Sequence, residues 1–171
     1  AALELEPTYR DARIRLARIM LMVRDDKTAL ELAGQLISLD ERDADALAIR
    51  AGVHALRGDL ENAAADVREA LSIEPDQLDA IVLLASIHNR QGKTEQAMQV
   101  LKDGLIKHPK SVDLLGLEAT LALAAGRIDQ SVASMQRIIE LEPDNLKHRL
   151  SLTRILLKLQ RFDEARSTVN K

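Results

Sequence analysis

The chain repeats itself with a period of 34 residues, and this period limits its fold more than any other feature. Pro75, Pro109 and Pro143 each follow the end of a helical pattern, at successive steps of 34 residues. Stepping back from Pro75 places first Glu41 and then Pro7 at the same point of the repeat. A period of roughly 20 to 50 residues indicates stacked supersecondary units that bury their apolar faces against each other.

Small residues recur at fixed positions when the units are counted from Arg10, Ala44, Leu78, Val112 and Leu146. Positions 8 and 20 are nearly always alanine, which indicates two helices that approach closely. Position 15 is glycine in three units, and a glycine between two helical patterns predicts a turn. Each unit is therefore predicted to be a helix-turn-helix hairpin. In chain order, position 8 holds Ala17, Ala51, Ala85, Ala119 and Thr153, position 15 holds Arg24, Gly58, Gly92, Gly126 and Gln160, and position 20 holds Ala29, Ala63, Ala97, Ser131 and Ala165.

This pattern resembles the tetratricopeptide repeat (TPR) family over essentially the whole chain. The small residue, the alanine and the proline of the family pattern are matched, whereas its large aromatic residues are replaced. The resemblance implies an all-α fold, a right-handed α-α superhelix (TPR solenoid) of helix-turn-helix hairpins. The departing positions are position 4, with Arg13, Leu47, Ile81, Leu115 and Arg149, and position 11, with Met20, His54, His88, Ala122 and Leu156.

The repeat predicts a single solenoid over residues 1–171. We expect residues 1–9 to be the tail of a preceding repeat, followed by units 10–43, 44–77, 78–111 and 112–145 and an incomplete unit 146–171. Neither end carries the polar capping helix that a solenoid needs. We interpret the chain as a segment of a longer array, with a complete protein that covers its ends by self-association as the alternative.

Composition argues against several classes of partner. The aromatic residues make up 1% of the chain and comprise Tyr9 and Phe162, and the net charge is −3, so a nucleic-acid surface is not expected. No apolar run approaches the roughly 18 to 20 residues of a membrane helix, so direct membrane insertion is not expected. The sequence shows neither cysteine nor a signal peptide, which leaves a soluble protein of either cytoplasm or periplasm. Sixteen of the 24 basic residues are arginine, a weak indication of a bacterial source.

We predict no enzymatic activity and no cofactor. Catalysis needs a nucleophile, a base and an orienting group in one pocket, and the sequence shows no phosphate loop, HExxH or GxSxG motif. Paired acids such as Asp25 with Asp26, or Glu140 with Glu142, fall on turns or helix surfaces, where solvated charge is the usual role.

Two histidines, His54 and His88, lie one period apart at position 11. They are either ligands of one metal or side chains that fill the place of the family's tyrosine. Neighbouring helices pack about 8 to 10 Å apart, which strains two ligands sharing one zinc at about 2.0 Å each. We therefore predict no metal site.

Charged residues recur at positions 2 and 7. The aspartates at position 2 are either a docking strip for a basic peptide or acids favoured by the dipole at helix starts, which alone explains them. Arg50 and Glu118 at position 7 replace an expected buried leucine, and the sequence offers no account of them. The aspartates of position 2 are Asp11, Asp45, Asp79 and Asp113.

The family resemblance implies a concave groove lined by the first helix of each hairpin, with positions 2, 5, 9, 12 and 13 facing into it. Gly52 and Gly116 are expected on an exposed helix face, where glycine permits close approach of another backbone or reflects drift. The lysine, asparagine and arginine clamp with which some TPR proteins hold a chaperone tail is absent. The predicted peptide-binding groove consists of Ile14, Arg18, Leu21, Ala48, Gly52, Ala55, Val82, Ser86, Asn89, Gly116, Thr120, Leu123, Leu150 and Arg154.

The leading interpretation is a protein-protein interaction scaffold that binds a peptide or helix of a partner in this groove. One alternative is a structural spacer or assembly segment of a larger bacterial protein, for example in polysaccharide export or secretion. Another is self-association through the terminal repeats, which would give a homo-oligomer.

Overall fold

The computed structural model describes residues 7–169, with the side chains of residues 9–169. These residues form ten α-helices and no strand, so the fold is all-α, as predicted. None of the helices in this part of the chain combines the length and the hydropathy needed to cross a membrane. The helices are α1 (Pro7–Met22), α2 (Asp26–Leu39), α3 (Ala44–Leu56), α4 (Leu60–Ile73), α5 (Leu78–Arg90), α6 (Thr94–Lys107), α7 (Val112–Ala124), α8 (Ile128–Leu141), α9 (Leu146–Lys158) and α10 (Phe162–Val169).

The helices alternate as the first and second members of hairpins. Helices α3, α5, α7 and α9 begin at the first residue of a counted unit. Helix α1 differs, because it begins at Pro7 and not at Arg10. Proline suits the first helical turn, where its missing N–H costs no hydrogen bond. Residues 1–6 of the predicted tail lie outside the described residues, and the division into repeat units stays a prediction.

The turn inside each hairpin has the same backbone conformation in all five cases. Position 15 has a positive φ, between 59° and 84°, at Arg24, Gly58, Gly92, Gly126 and Gln160. A side chain at positive φ crowds the backbone, which is why glycine is the preferred residue there. Arg24 and Gln160 therefore adopt a strained conformation that the rest of the hairpin imposes.

Two compact units divide after Val100, within α6, and each is described by itself. In the first unit, α1 packs on α2 and α3 on α4, while α2 packs on α3 and α4 on α5. The first helices also contact each other, α1 with α3 and α3 with α5. In the second unit, α7 packs on α8, α8 on α9, and α9 on α10. Aliphatic residues such as Leu47, Val67 and Ile87 form the first core, and Leu115 and Ile138 belong to the second.

Two polar pairs lie inside hairpins and explain the unusual residues of position 7. Arg50 donates two hydrogen bonds to Asp66, at 2.7 and 2.8 Å, and these bonds raise the pKa of the guanidinium. Glu118 accepts hydrogen bonds from Ser134 at 2.6 Å and from Gln130 at 3.1 Å. The side chains that broke the apolar pattern are therefore satisfied within their own hairpins.

Both pairs join position 7 to position 23 of the same unit. The corresponding pair is Leu84 with Val100 in the third unit, so a polar pair and an apolar pair occupy equivalent places. Replacing only one member of a polar pair would leave a buried group without its partner.

We expect Gln160→Gly to raise the free energy of unfolding by about 0.5 to 1 kcal/mol, because glycine removes the strain at positive φ. Urea unfolding followed by circular dichroism measures the difference. The matched reverse change is Gly58→Ala, where no atom lies within 4 Å of the added Cβ and only backbone strain is introduced. Gly58→Ala should lower the free energy of unfolding by a similar amount. A destabilised Gln160→Gly variant would contradict the explanation.

A double-mutant cycle tests the Arg50–Asp66 pair. Arg50→Leu should destabilise the chain by about 2 kcal/mol, because the carboxylate of Asp66, which is 8% exposed, loses its partner. The double change Arg50→Leu with Asp66→Val copies the Leu84–Val100 pair and should recover most of that loss. Unfolding free energies that simply add would show that the pair is not coupled.

Candidate functional site

The first-helix face is defined as positions 5, 9 and 12 of each first helix, which are the positions of the predicted groove residues. In the first unit, four of these residues are buried: Ile14, Ala48, Gly52 and Ala55. The expectation that Gly52 lies on an exposed face is wrong. Helices α1 and α3 pack directly on each other, and the Leu21 side chain lies 2.7 Å from where a Cβ of Gly52 would stand.

The remaining predicted residues of the first unit are more open. Arg18 and Asn89 are exposed, and Leu21, Val82 and Ser86 are half-buried. The Ser86 hydroxyl donates to the carbonyl of Val82 at 2.9 Å, within its own helix. The open part of this face is therefore mostly polar.

An ionic cluster links the first helices of this unit. Arg18 pairs with Asp45 of α3 at 2.9 Å and with Asp79 of α5 at 3.2 Å. Asp45 also accepts hydrogen bonds from Arg10 at 3.0 Å and from Gln77 at 2.9 Å. Two aspartates of position 2, Asp45 and Asp79, thus link neighbouring first helices, a role that their favourable place at the helix start did not reveal.

The cluster continues to a buried carboxylate. Asp43, which is 4% exposed, caps α3 by accepting a hydrogen bond from the Ala46 N–H at 3.0 Å. Arg10 donates two hydrogen bonds to the same carboxylate, both at 2.8 Å, and these raise the pKa of the guanidinium. The sequence signal for this cluster was the pair Arg10 and Arg18 at positions 1 and 9 of one unit, with Asp45 and Asp79 at position 2 of the next two units.

The second unit presents a more open first-helix face. Thr120 on α7 and Leu150 and Arg154 on α9 are exposed, whereas Gly116 and Leu123 are half-buried. Apart from the adjoining backbone of α7 and the two chain neighbours, no atom lies within 4 Å of where a Cβ of Gly116 would stand. The Thr120 hydroxyl donates to the carbonyl of Gly116 at 2.9 Å. On this surface α7 presents the small residues Gly116 and Thr120, whereas α9 presents apolar and basic side chains.

The two histidines have different neighbours. His54 Nδ1 lies 3.5 Å from Asp59 and its Nε2 lies 3.9 Å from Asp66. His88 Nδ1 is buried without a hydrogen-bond partner, and burial is the main cause of its lowered pKa. Within residues 7–169, no group of three His, Cys, Asp or Glu side chains could hold a metal ion.

A cavity of about 290 Å³ lies between α8, α9 and α10. Arg149 lines it, and its Nε is buried without a hydrogen-bond partner. The sequence signal for this cavity was the arginine at position 4, because the equivalent residues Leu47 and Leu115 are buried in the core. Glu140 and Glu164 line the same cavity, so its charge favours no anion and we assign it no function.

Comparison with known proteins identifies the repeat. One model of the tetratricopeptide repeat matches residues 54–121 and 122–171, and a second model of the same description matches residues 27–80. Together these segments cover well over half of the chain. No curated protein matches at a significant level.

Solved structures share the fold. A thermophilic TPR protein of Thermus thermophilus is 23% identical, with a TM-score of 0.75 over 93% of this chain and 87% of its own. The pilF protein of Pseudomonas aeruginosa is 20% identical, with a TM-score of 0.81 over 94% of this chain and 73% of its own. A structure of Naa15/Naa10 bound to HypK-THB is 17% identical, with a TM-score of 0.74 over 94% of this chain and 24% of that chain.

The two mid-helix glycines should respond differently to alanine. We expect Gly116→Ala to raise the free energy of unfolding by about 0.5 to 1 kcal/mol, since alanine favours the helix and space is free. Gly52→Ala should raise the free energy of unfolding by less, because the Leu21 side chain must move to make room for the added methyl group. In a Leu21→Ala background, Gly52→Ala should recover the gain of Gly116→Ala. Equal gains in the wild-type background would contradict the close packing of Leu21 on Gly52.

Proposed function

The chain belongs to the tetratricopeptide repeat family, and from this premise we propose that it is a scaffold that binds a peptide or helix of a partner protein along its first-helix face. TPR folds serve generally as protein-protein interaction scaffolds. The observation that carries the finer proposal is the open α7 surface at Gly116. A glycine with free space above it lets the backbone of a partner approach closely.

The location of the site follows from the difference between the two units. In the first unit the mid-helix glycine Gly52, at position 9, is covered by Leu21, and Arg18 is already paired with Asp45 and Asp79. In the second unit Leu150 is 61% exposed and Arg154 forms no ion pair with a described residue. We therefore place the main contact on α7 and α9.

The proposal includes no catalytic role. The charged clusters of the first unit join arginines to carboxylates, and such pairs are satisfied by each other and not directed at a substrate. The TPR fold is typically a non-catalytic scaffold. The Naa15/Naa10 structure, which has the same fold over part of its length, is of a complex with another protein, HypK-THB.

Self-association is a second candidate, favoured by an apolar stripe on α1. Leu16, Ile19 and Val23 are 44%, 51% and 65% exposed, at the spacing of one helix face. The residues equivalent to Ile19 in α3 and α5 are Val53 and Ile87, which are fully buried. A second copy could cover this stripe. The third candidate, a spacer within a larger bacterial protein, requires no partner on either face.

Affinity capture with matched variants tests the scaffold proposal. Gly116→Arg places a bulky charge on the open α7 face, and Ala133→Arg places the same side chain on an exposed position of α8. Quantitative mass spectrometry of captured proteins should show a partner that is retained by the wild-type chain and by Ala133→Arg, and reduced at least tenfold by Gly116→Arg.

Circular dichroism establishes that both variants remain helical. A partner that Gly116→Arg and Ala133→Arg retain equally would contradict binding on this face. If no partner is found and sedimentation shows a dimer that Ile19→Asp dissociates, self-association replaces the scaffold proposal. A monomer without partners would favour the spacer.

A further inference from the structure

Neighbouring first helices meet through position 5 of the earlier helix and position 6 of the later one. Between α1 and α3 these positions hold Ile14 and Ile49, which are 5% and 3% exposed and belong to one buried cluster. Ala46, at position 3 of α3, belongs to the same cluster. Two isoleucine side chains therefore fill the space between α1 and α3, and the two helices pack on each other.

The equivalent space between α7 and α9 is not filled. Three periods of 34 residues after Ile14 and Ile49 stand Gly116 and Ser151. Beyond its own helix and its chain neighbours, Gly116 has no atom within 4 Å of where a Cβ would stand, and Ser151 is exposed. Among residues 7–169, α8 packs on both helices, but the backbones of α7 and α9 do not approach each other as those of α1 and α3 do.

The side chains between α7 and α9 explain this opening, since both helices of the contact are present. At the place of Gly52, which admits Leu21, α9 has Arg154, and a side chain of that size does not permit the same close approach. His148, at position 3, has its Nε2 2.8 Å from the carboxylate of Glu142, so this ring is engaged by the loop before α9. We name the opening the α7–α9 notch, and it consists of Gly116, Thr120, His148 and Ser151.

A positive charge without a partner lies beside the notch. Between α1 and α3, Arg18 at position 9 pairs with Asp45 at position 2, at 2.9 Å. Between α7 and α9 these positions hold Thr120 and Lys147, and Lys147 is exposed and forms no ion pair with a described residue. The carboxylate of Asp113, at position 2 of α7, is exposed as well, so an acidic group of a ligand is favoured on the α9 side of the notch.

We infer that the α7–α9 notch receives one aliphatic side chain of a partner segment, and that an acidic residue within four positions of this anchor pairs with Lys147. The space that isoleucine side chains fill between α1 and α3 sets the size of the anchor, which is valine, leucine or isoleucine. The inference rests on the proposed function and specifies the chemistry of the partner.

A phage-displayed library of random dodecapeptides is the probe, selected on the immobilised 171-residue chain. We expect the enriched peptides to share an aliphatic residue with an aspartate or glutamate within four positions of it. Fluorescence anisotropy of an enriched peptide then measures its affinity for the wild-type chain and for each variant.

Filling the notch should abolish this binding without unfolding the chain. Ser151→Ile fills it from α9 and should weaken binding roughly tenfold or more. The melting temperature should stay the same or rise, because the new side chain packs against the open side of Gly116. Gly116→Val fills the notch from α7 and should cause the same loss. Ser72→Ile, the same change at an exposed position of α4, should leave the affinity unchanged.

Reversing the charge beside the notch tests the acidic residue of the partner. Lys147→Glu should weaken binding roughly fivefold or more, and replacing the acidic residue of the peptide by lysine should restore its affinity for this variant. The matched control is Lys158→Glu, which makes the same charge change at the exposed last residue of α9 and should leave the affinity unchanged.

Several results would overturn the inference. These are a selection that enriches no peptide, enriched peptides without the aliphatic and acidic pair, equal affinities for Ser151→Ile and Ser72→Ile, or failure of the charge exchange. Association of the chain alone in sedimentation velocity, abolished by Ser151→Ile, would show that a second copy fills the notch and not a partner. A captured partner that Gly116→Arg loses but Ser151→Ile and Lys147→Glu retain would end this inference and leave the proposed function standing.

Discussion

The close approach of two helices inside each hairpin is the contact on which the rest of the structure depends. Ala51 on α3 and Ala63 on α4 have no exposed surface, and neither do Ala17 and Ala29 in the preceding hairpin. Alanine lets helix axes come near each other, and the surrounding leucine, isoleucine and valine side chains then interdigitate at the density of a protein interior. Because aromatic residues are nearly absent, this aliphatic packing supplies most of the buried apolar surface.

Close packing also determines how polar residues can be used. A polar side chain at the helix-helix contact is tolerated only with a partner on the opposite helix, which is how Arg50 with Asp66 and Glu118 with Ser134 are accommodated. Such pairs contribute modestly to stability, since the hydrogen bonds offset the loss of hydration. They do require one alignment of the two helices, because a shift by one residue would separate the donors from the acceptor.

Close packing between neighbouring first helices also covers some parts of the first-helix face and leaves others open. In the first unit Leu21 covers Gly52, and Arg18 is engaged by two carboxylates, so that this part of the face is occupied by the chain itself. In the second unit the equivalent groups of α9 are exposed. Surface available for binding therefore depends on which residues the neighbouring helix provides, and not on the repeat position alone.

The sequence by itself determined the helical hairpin, its period and its turn. Position 15 of each unit lies in the turn between the two helices. It has a positive φ even at Arg24 and Gln160, where no glycine signals this conformation. The starts of the first helices at Ala44 and Leu78 could be predicted from the sequence because burial imposes the same apolar spacing on every unit. Only the tertiary structure decided that Gly52 is covered and Gly116 open, and that Asp45 pairs with Arg18. These outcomes depend on side chains that are far apart in sequence and on the space between packed helices, which no local pattern specifies.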